Sequence, residues 1–376
     1  MQNPFIRLLA RLRVGRKLLL IYLLDLTAVI YISGILIQEK YIAIDFAQKE
    51  IIGNHYIATV RDAFCDVALA AVGAAAGDAT ANATASAVGS AVTSAADKAQ
   101  PAAQLARYPQ ALAETQRQYG ADVQSAAASA QLIQSFAHLT QPGGLTPANT
   151  SATISSAHDL ITRVGNQSNL ILDPDLDSYY TMSLLVLRYP DLLETINNIG
   201  VRVHTRVPAG RVESNEARTR YLILEGQLDS TLKGLSSDYG EAIAAHPSMR
   251  TALEPSLNTM LAAADLYRRT ARNLVENGSN PAALAQVDVA QRVLIGTIHR
   301  AWDASAQQLD VLLRARIHEF FLRMWLHLGT ALTLLCCILL MVYFVARDGH
   351  GAAHWRPQPA RVLEQPGRNR PVGARV

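Results

Sequence analysis

MWLHLGTALTLLCCILLMVYFVA, Met324–Ala346, decides the architecture. As a helix rising about 1.5 Å per residue it crosses a hydrocarbon core of roughly 30 Å. Trp325 and Tyr343 lie near its two ends, where amphipathic rings prefer the headgroup zone. Its only titratable side chain of note, His327, is one turn from the start, within reach of the interface. The stretch therefore reads as a transmembrane helix, and what surrounds it fixes the rest. A long polar helical region leads into it, and a short segment follows.

A second apolar run, Leu18–Ile37 (LLLIYLLDLTAVIYISGILI), follows a basic segment with Arg7, Arg11, Arg13, Arg16 and Lys17 and no acid. Basic residues ahead of an apolar run of this length predict a first transmembrane helix with its N-terminus in the cytoplasm. No small-x-small cleavage site separates it from Gln38-Glu39-Lys40, which argues for an uncleaved anchor over a signal peptide. Asp25 inside this run is expected near the cytoplasmic leaflet rather than in a polar contact between helices. The expected division is a basic N-terminus over 1–17, membrane helices over 18–37 and 324–346, an extracytoplasmic region over 38–323 and a tail over 347–376.

Composition narrows the function classes. The chain has 376 residues, 17% of them charged and only 6% aromatic, with much of its apolar content in alanine, so a large β-rich core is excluded. The net charge of +3 comes without a dense basic stripe interleaved with aromatics, so no nucleic acid is expected as a partner. Cys336 and Cys337 lie within Met324–Ala346 and Cys65 has no partner in its compartment, so neither a disulfide framework nor a metal set is expected.

Between the apolar runs, helical periodicity dominates. Gln38–Val67 continues the first helix, with Ile44, Ile51, Tyr56 or Val60, and Phe64 recurring at helical spacing. Ala68–Gln100 is rich in Ala, Gly, Ser and Thr and predicts a thin helix with a frayed connection. Gln110–Leu139 and Thr150–Leu172 read as helices separated by the Gln141–Pro147 loop. Asp173-Pro174 predicts a helix start, with Asp173 as N-cap and Pro174 at the first helical position. That helix should kink at Pro190 and end near Gly200. A turn follows at Pro208. Asn215–Ala245 and Met249–Glu276 then form a hairpin around His246-Pro247, and past a loop at 277–281 a last helix from Ala283 runs into Met324–Ala346.

The densest chemistry is Asp173-Pro174-Asp175-Leu176-Asp177-Ser178-Tyr179-Tyr180. Alternating aspartates suggest a calcium loop, but Ser178 replaces the required glycine and Leu184 the closing glutamate. No nucleophile, metal set or oxyanion element accompanies the carboxylates, so no enzyme and no cofactor is expected. Asp173, Asp177, Tyr179 and Tyr180 remain candidate ligand-binding residues at a helix N-terminus. Tyr56, and Arg61 and Arg188 as bidentate carboxylate binders, join them.

Three segments carry a family resemblance: AQKEIIGNHY at Ala47–Tyr56, SNLILDPDLDSYY at Ser168–Tyr180, and Trp302-Asp303 to Arg316-Ile317. They resemble the periplasmic input regions of bacterial methyl-accepting chemotaxis proteins and membrane sensor histidine kinases. The resemblance implies an all-α fold: two transmembrane helices flanking a periplasmic stacked helical bundle in the bacterial inner membrane, both termini cytoplasmic. It implies a homodimer, or a heterodimer with a full-length receptor, and a small anionic or organic-acid ligand that displaces one helix by about 1–2 Å. The family continues into a HAMP linker and an output domain. Arg347–Val376 has no heptads, phosphoacceptor context or nucleotide motif, so the expectation is a sensing module without its own output. The competing expectation is a non-catalytic, membrane-tethered bundle that binds partner receptors rather than a small ligand.

Overall fold

The computed structural model describes residues 14–76, 101–204, 215–277 and 281–351. These are almost entirely helical, with no strand among them. The basic segment before residue 14, the glycine-rich stretch past Ala76, the turn at Pro208, most of the loop before Pro281 and the tail from residue 352 lie outside the described residues.

The two apolar runs are parts of much longer helices. Helix α1, Val14–Ala76, spans 63 residues, and the last helix, α10, Pro281–Gly351, spans 71. Both are long and apolar enough to cross a membrane, and the most apolar window of each is wholly unburied. Leu24 and Tyr31 on α1, and Trp325 and Met341 on α10, expose most of their surface. Contacts divide the chain at these helices: residues up to Lys40 and from Leu322 form one unit, and Tyr41–Phe321 the other.

Within Tyr41–Phe321 the intervening helices are α2 (Pro101–Leu105), α3 (Tyr108–Val123), α4 (Ala126–Leu139), α5 (Pro147–Gln167), α6 (Leu176–Ser183), α7 (Tyr189–His204), α8 (Asn215–Ala245) and α9 (Arg250–Asn277). Helices α3, α4 and α5 pack in succession, α5 continues onto α7, and α8 packs on α6, α7 and α9. One core joins them, from Tyr56, Val60 and Phe64 of α1 through Leu132, Leu160 and Leu192 to Leu294, Trp302 and Leu309 of α10. Burying this stripe is what holds helices of ordinary propensity in place.

Local rules explain several ends. Thr146 caps α5, its side chain accepting from Asn149 N–H at 3.2 Å with Pro147 in the first turn. The expected single helix over 110–139 is two: Gln124 takes a left-handed φ of 45° and turns the chain between α3 and α4. The expected helix to Leu172 stops at Gln167. Asn169, also left-handed with φ 66°, starts a short 3-10 turn over Leu170–Leu172.

Two further expectations are corrected. Asp173 is not the N-cap and Pro174 is not helical: α6 begins at Leu176, with extended Asp175 before it. Pro190 breaks nothing, because a π turn over Leu184–Arg188 precedes it and Tyr189 N–H donates to Leu184 O. The wider turn absorbs the missing proline donor, and α7 runs past Gly200 to His204.

Candidate functional site

Arg316 is the centre of the most unusual constellation in the described chain. It follows Leu309 and Leu313 on the buried stripe of α10, so its guanidinium enters the protein rather than solvent. Its Nη1 donates to Glu50 Oε2 at 3.2 Å, its Nη2 to Asp173 Oδ1 at 3.0 Å and to Ser178 Oγ, and its Nε pairs with Asp175 Oδ2 at 2.7 Å. Glu50 occupies the matching core stripe of α1 after Ile44 and Ala47. The carboxylates of Glu50 and Asp173 are fully buried, whereas Asp175 is more than half exposed.

The segment around Asp173 is shaped for this contact. Asp175 N–H donates to Asp173 Oδ1 at 3.1 Å, folding the Asp-Pro-Asp turn so that both carboxylates face Arg316. Asp173 Oδ1 therefore accepts two hydrogen bonds, while Asp173 Oδ2 and Glu50 Oε1 accept none. Burial pushes the Glu50 carboxyl up to about 8; the charge of Asp173 adds to this and Arg316 opposes it. Asp173 is likewise raised by burial, with the charge of Arg316 and the Asp175 N–H hydrogen bond among the effects pulling it back.

Close approach to α1 depends on one glycine. A Cβ at Gly53 would overlap the buried side chain of Ser168 and lie 3.0 Å from Leu170. Gly53→Ala is expected to cost about 1–3 kcal/mol by overpacking. Adding Ser168→Gly, which removes both colliding atoms, should restore part of it. Thermal denaturation of the full chain checks this. Equal melting of Gly53→Ala and wild type would mean that α1 and the 168–170 segment separate freely.

The contacts between α1 and α10 continue beyond Arg316 as a ladder. Asn54 Nδ2 donates to Ala306 O at 2.9 Å, and His55 Nε2 lies 3.2 Å from Asp310 Oδ1. Arg61 Nη1 donates to Asp303 Oδ1 at 2.9 Å, and His299 Nε2 lies 3.0 Å from Asp62 Oδ1. From Glu50–Arg316 at one end to Asp62–His299 at the other, numbers rise along α1 while they fall along α10, so this is one antiparallel seam.

Of the residues singled out in the sequence, Asp173 alone enters the Arg316 cluster. Asp177 faces away: its Oδ1 accepts from Ser178 N–H at 2.8 Å and its Oδ2 lies 3.3 Å from His246 Nδ1. Tyr179 is half-exposed, its ring edge-on to Tyr180 with centroids 5.4 Å apart. Tyr56 is fully buried and donates to Gln116 Oε1 at 2.8 Å. Arg61 is spent on Asp62 and Asp303, and Arg188 on Asp238 at 2.7 Å. A shallow groove of about 380 Å³ lies away from these residues, between α7 and α8, lined by Asn198, Val201, Ile223 and Leu224 among others. No group of three or more His, Cys, Asp or Glu that could hold a metal occurs among the described residues.

Glu50, Asp175, Ser178 and Arg316 were not among the sequence candidates. The available signal was a charged residue on an otherwise apolar stripe, at Glu50 after Ile44 and Ala47 and at Arg316 after Leu309 and Leu313. Fold and site together define a protein whose described residues are almost entirely helical and whose two longest described helices carry apolar spans and share a polar seam. No family model matches the chain, and neither a curated protein nor a solved structure shows significant similarity to it.

Proposed function

We propose that the chain is a membrane-anchored, extracytoplasmic ligand-sensing module of the kind found in bacterial chemoreceptors and sensor kinases. In this reading both chain ends are cytoplasmic, the stacked bundle is periplasmic, and the module pairs with a second copy or with a full-length receptor. The observation that carries it is the ladder along α1 and α10. The helices that carry the membrane spans are the same helices that meet in this seam. A ligand that reorders the seam changes how one helix lies against the other, and small shifts at packed helices are a known output of such bistable interfaces. The three segments behind the family resemblance also meet here, Glu50 from the first, Asp173 and Ser178 from the second, Arg316 from the third.

One observation favours a second reading, a tethered bundle that binds protein partners. The arginines expected to hold an anion, Arg61 and Arg188, are already neutralised by aspartates. A thermal-shift screen of the full chain against organic acids, amino acids and inorganic anions separates the two. A ligand at 100 times its Kd stabilises the native state by about 2.7 kcal/mol. A dose-dependent rise in Tm with one class supports sensing. A flat screen on well-folded protein supports the partner-binding reading.

A further inference from the structure

The seam is unbalanced at one rung. Three carboxylates, Glu50, Asp173 and Asp175, face one guanidinium, and Arg316 spends its donors on all three and on Ser178. Two of these acids are fully buried, and each keeps one oxygen with no hydrogen-bond partner. An ionised carboxylate out of water needs its acceptor sites filled, and two carboxylates that share one guanidinium and each keep a bare oxygen are costly. The guanidinium at the centre repels a metal ion. A proton on Glu50 removes one of the two buried negative charges without adding volume, which neither a water nor a metal ion does.

We infer that Glu50 is a proton-binding site that latches the Asp173–Asp175 turn onto Arg316. With the proton bound, Glu50 is a neutral acceptor and Arg316 is shared by Asp173 and Asp175. When the proton leaves, a second buried anion appears beside Asp173 and competes for the same guanidinium. Asp175 is more than half exposed and can rotate into water, so the turn is the element that gives way. The proton site stands on this geometry alone; its use in signalling rests on the proposed sensing function.

The electrostatics agree. With the Glu50 carboxyl held at about 8 against an ordinary 4.5, the folded protein keeps a proton that the unfolded chain has released. The stability that Glu50 contributes is therefore fully present below the unfolded value, is lost as pH rises towards about 8 and changes no further above it. The protonated fraction of Glu50 falls about tenfold from pH 7 to pH 9. Asp173, raised in the same direction, adds to the slope at lower pH. The charged groups flanking the cluster are His55 with Asp310, Arg314 with Asp310, and His246 with Asp177. His158, on α5, is raised by its hydrogen bond to Glu194, so its stabilising charge is also lost with rising pH. The readout is therefore the difference between wild type and Glu50→Gln.

The test uses the full chain in nanodiscs, with Cys336→Ala and Cys337→Ala removing the exposed thiols; Cys65 is buried. Spin labels go on Leu172→Cys and Val311→Cys, both well exposed. Between about pH 6 and about pH 9.5 the interspin distance should lengthen or broaden, with a midpoint near 8. In Glu50→Gln it should hold its low-pH value throughout. Asp173→Asn should move the midpoint down, since it removes the neighbouring negative charge, and it keeps the test decisive where Glu50→Gln fails to fold. Three results overturn the latch: a distance indifferent to pH, a response that persists in Glu50→Gln but vanishes in His55→Gln or His246→Gln, or a midpoint unmoved by Asp173→Asn. An intact titration alongside a flat ligand screen would overturn ligand sensing and leave the proton site standing. A ligand response without titration would do the reverse.

Discussion

Arg316→Met is expected to be among the most destabilising single substitutions in the chain. The reason is what it leaves behind. The Asp173 carboxylate and the Glu50 carboxyl have no exposed surface, and removing their shared cation strands the Asp173 charge in the interior and leaves Glu50 without its donor. Breaking a buried pair in this way typically costs about 3–5 kcal/mol. For a region of this size that is a fall in Tm on the order of 10 °C. Asp175 contributes little to the loss, because its exposed carboxylate returns to water.

The same argument predicts a rescue. In Glu50→Gln/Asp173→Asn/Arg316→Met every buried charge is gone together, and such replacements are often neutral or stabilising. The triple variant should recover most of the lost stability. Arg61 offers the contrast. Its side chain is as buried as that of Arg316, but its partners Asp62 and Asp303 are nearly half exposed, so Arg61→Met leaves nothing stranded and should cost about 1 kcal/mol. Chemical denaturation of the full chain decides the matter. Equal losses for Arg316→Met and Arg61→Met, or no recovery in the triple variant, would mean that water reaches the cluster.

Why Arg316 was not visible in the sequence follows from the same geometry. Apolar length and basic flanks are local, so the helices carrying Leu18–Ile37 and Met324–Ala346 were legible, as was the hairpin at His246-Pro247. Pairings across the fold are not local. Arg316 meets Glu50 over 266 positions and Asp173 over 143, and beside Arg314 and Arg323 it reads as one more membrane-flanking charge. The start of α6 was misplaced for a related reason. Asp173 and Asp175 both suit an N-cap, and it is Arg316 that holds both carboxylates and keeps the turn out of the helix. Gln124 and Asn169 turn the chain without glycine or proline, so those breaks carry no composition signal. Pro190 misled in the opposite sense, since the π turn before it is a tertiary accommodation.

The second large effect is expected at Trp302. Its side chain has no exposed surface, stacks on Tyr189 with centroids 5.3 Å apart and planes 21° apart, and meets Phe64 edge-on at 6.3 Å. It therefore ties α10 to α7 and α1 at once. Trp302→Ala removes the largest of the fully buried side chains, and substitutions of this kind cost about 3–5 kcal/mol. The neighbouring hydroxyls of Tyr189, Tyr239 and Ser305 form one hydrogen-bonded set, which the collapsing ring of Tyr189 would disturb. Trp302→Phe should behave differently. The indole Nε1 is buried with no partner, so phenylalanine gives up area but also removes an unsatisfied donor, and the two terms oppose. The expected order is wild type close to Phe, with Ala far below. If phenylalanine proved as damaging as alanine, the indole N–H would be holding a partner such as a buried water, and the core at Trp302 would be a polar site rather than a packing one. If alanine were mild, the two long helices would not depend on this ring for their register. The labelled Leu172–Val311 distance in Trp302→Ala measures that directly: a broad, pH-independent distribution is expected, because a seam that has lost its packing cannot hold the two discrete arrangements a latch requires.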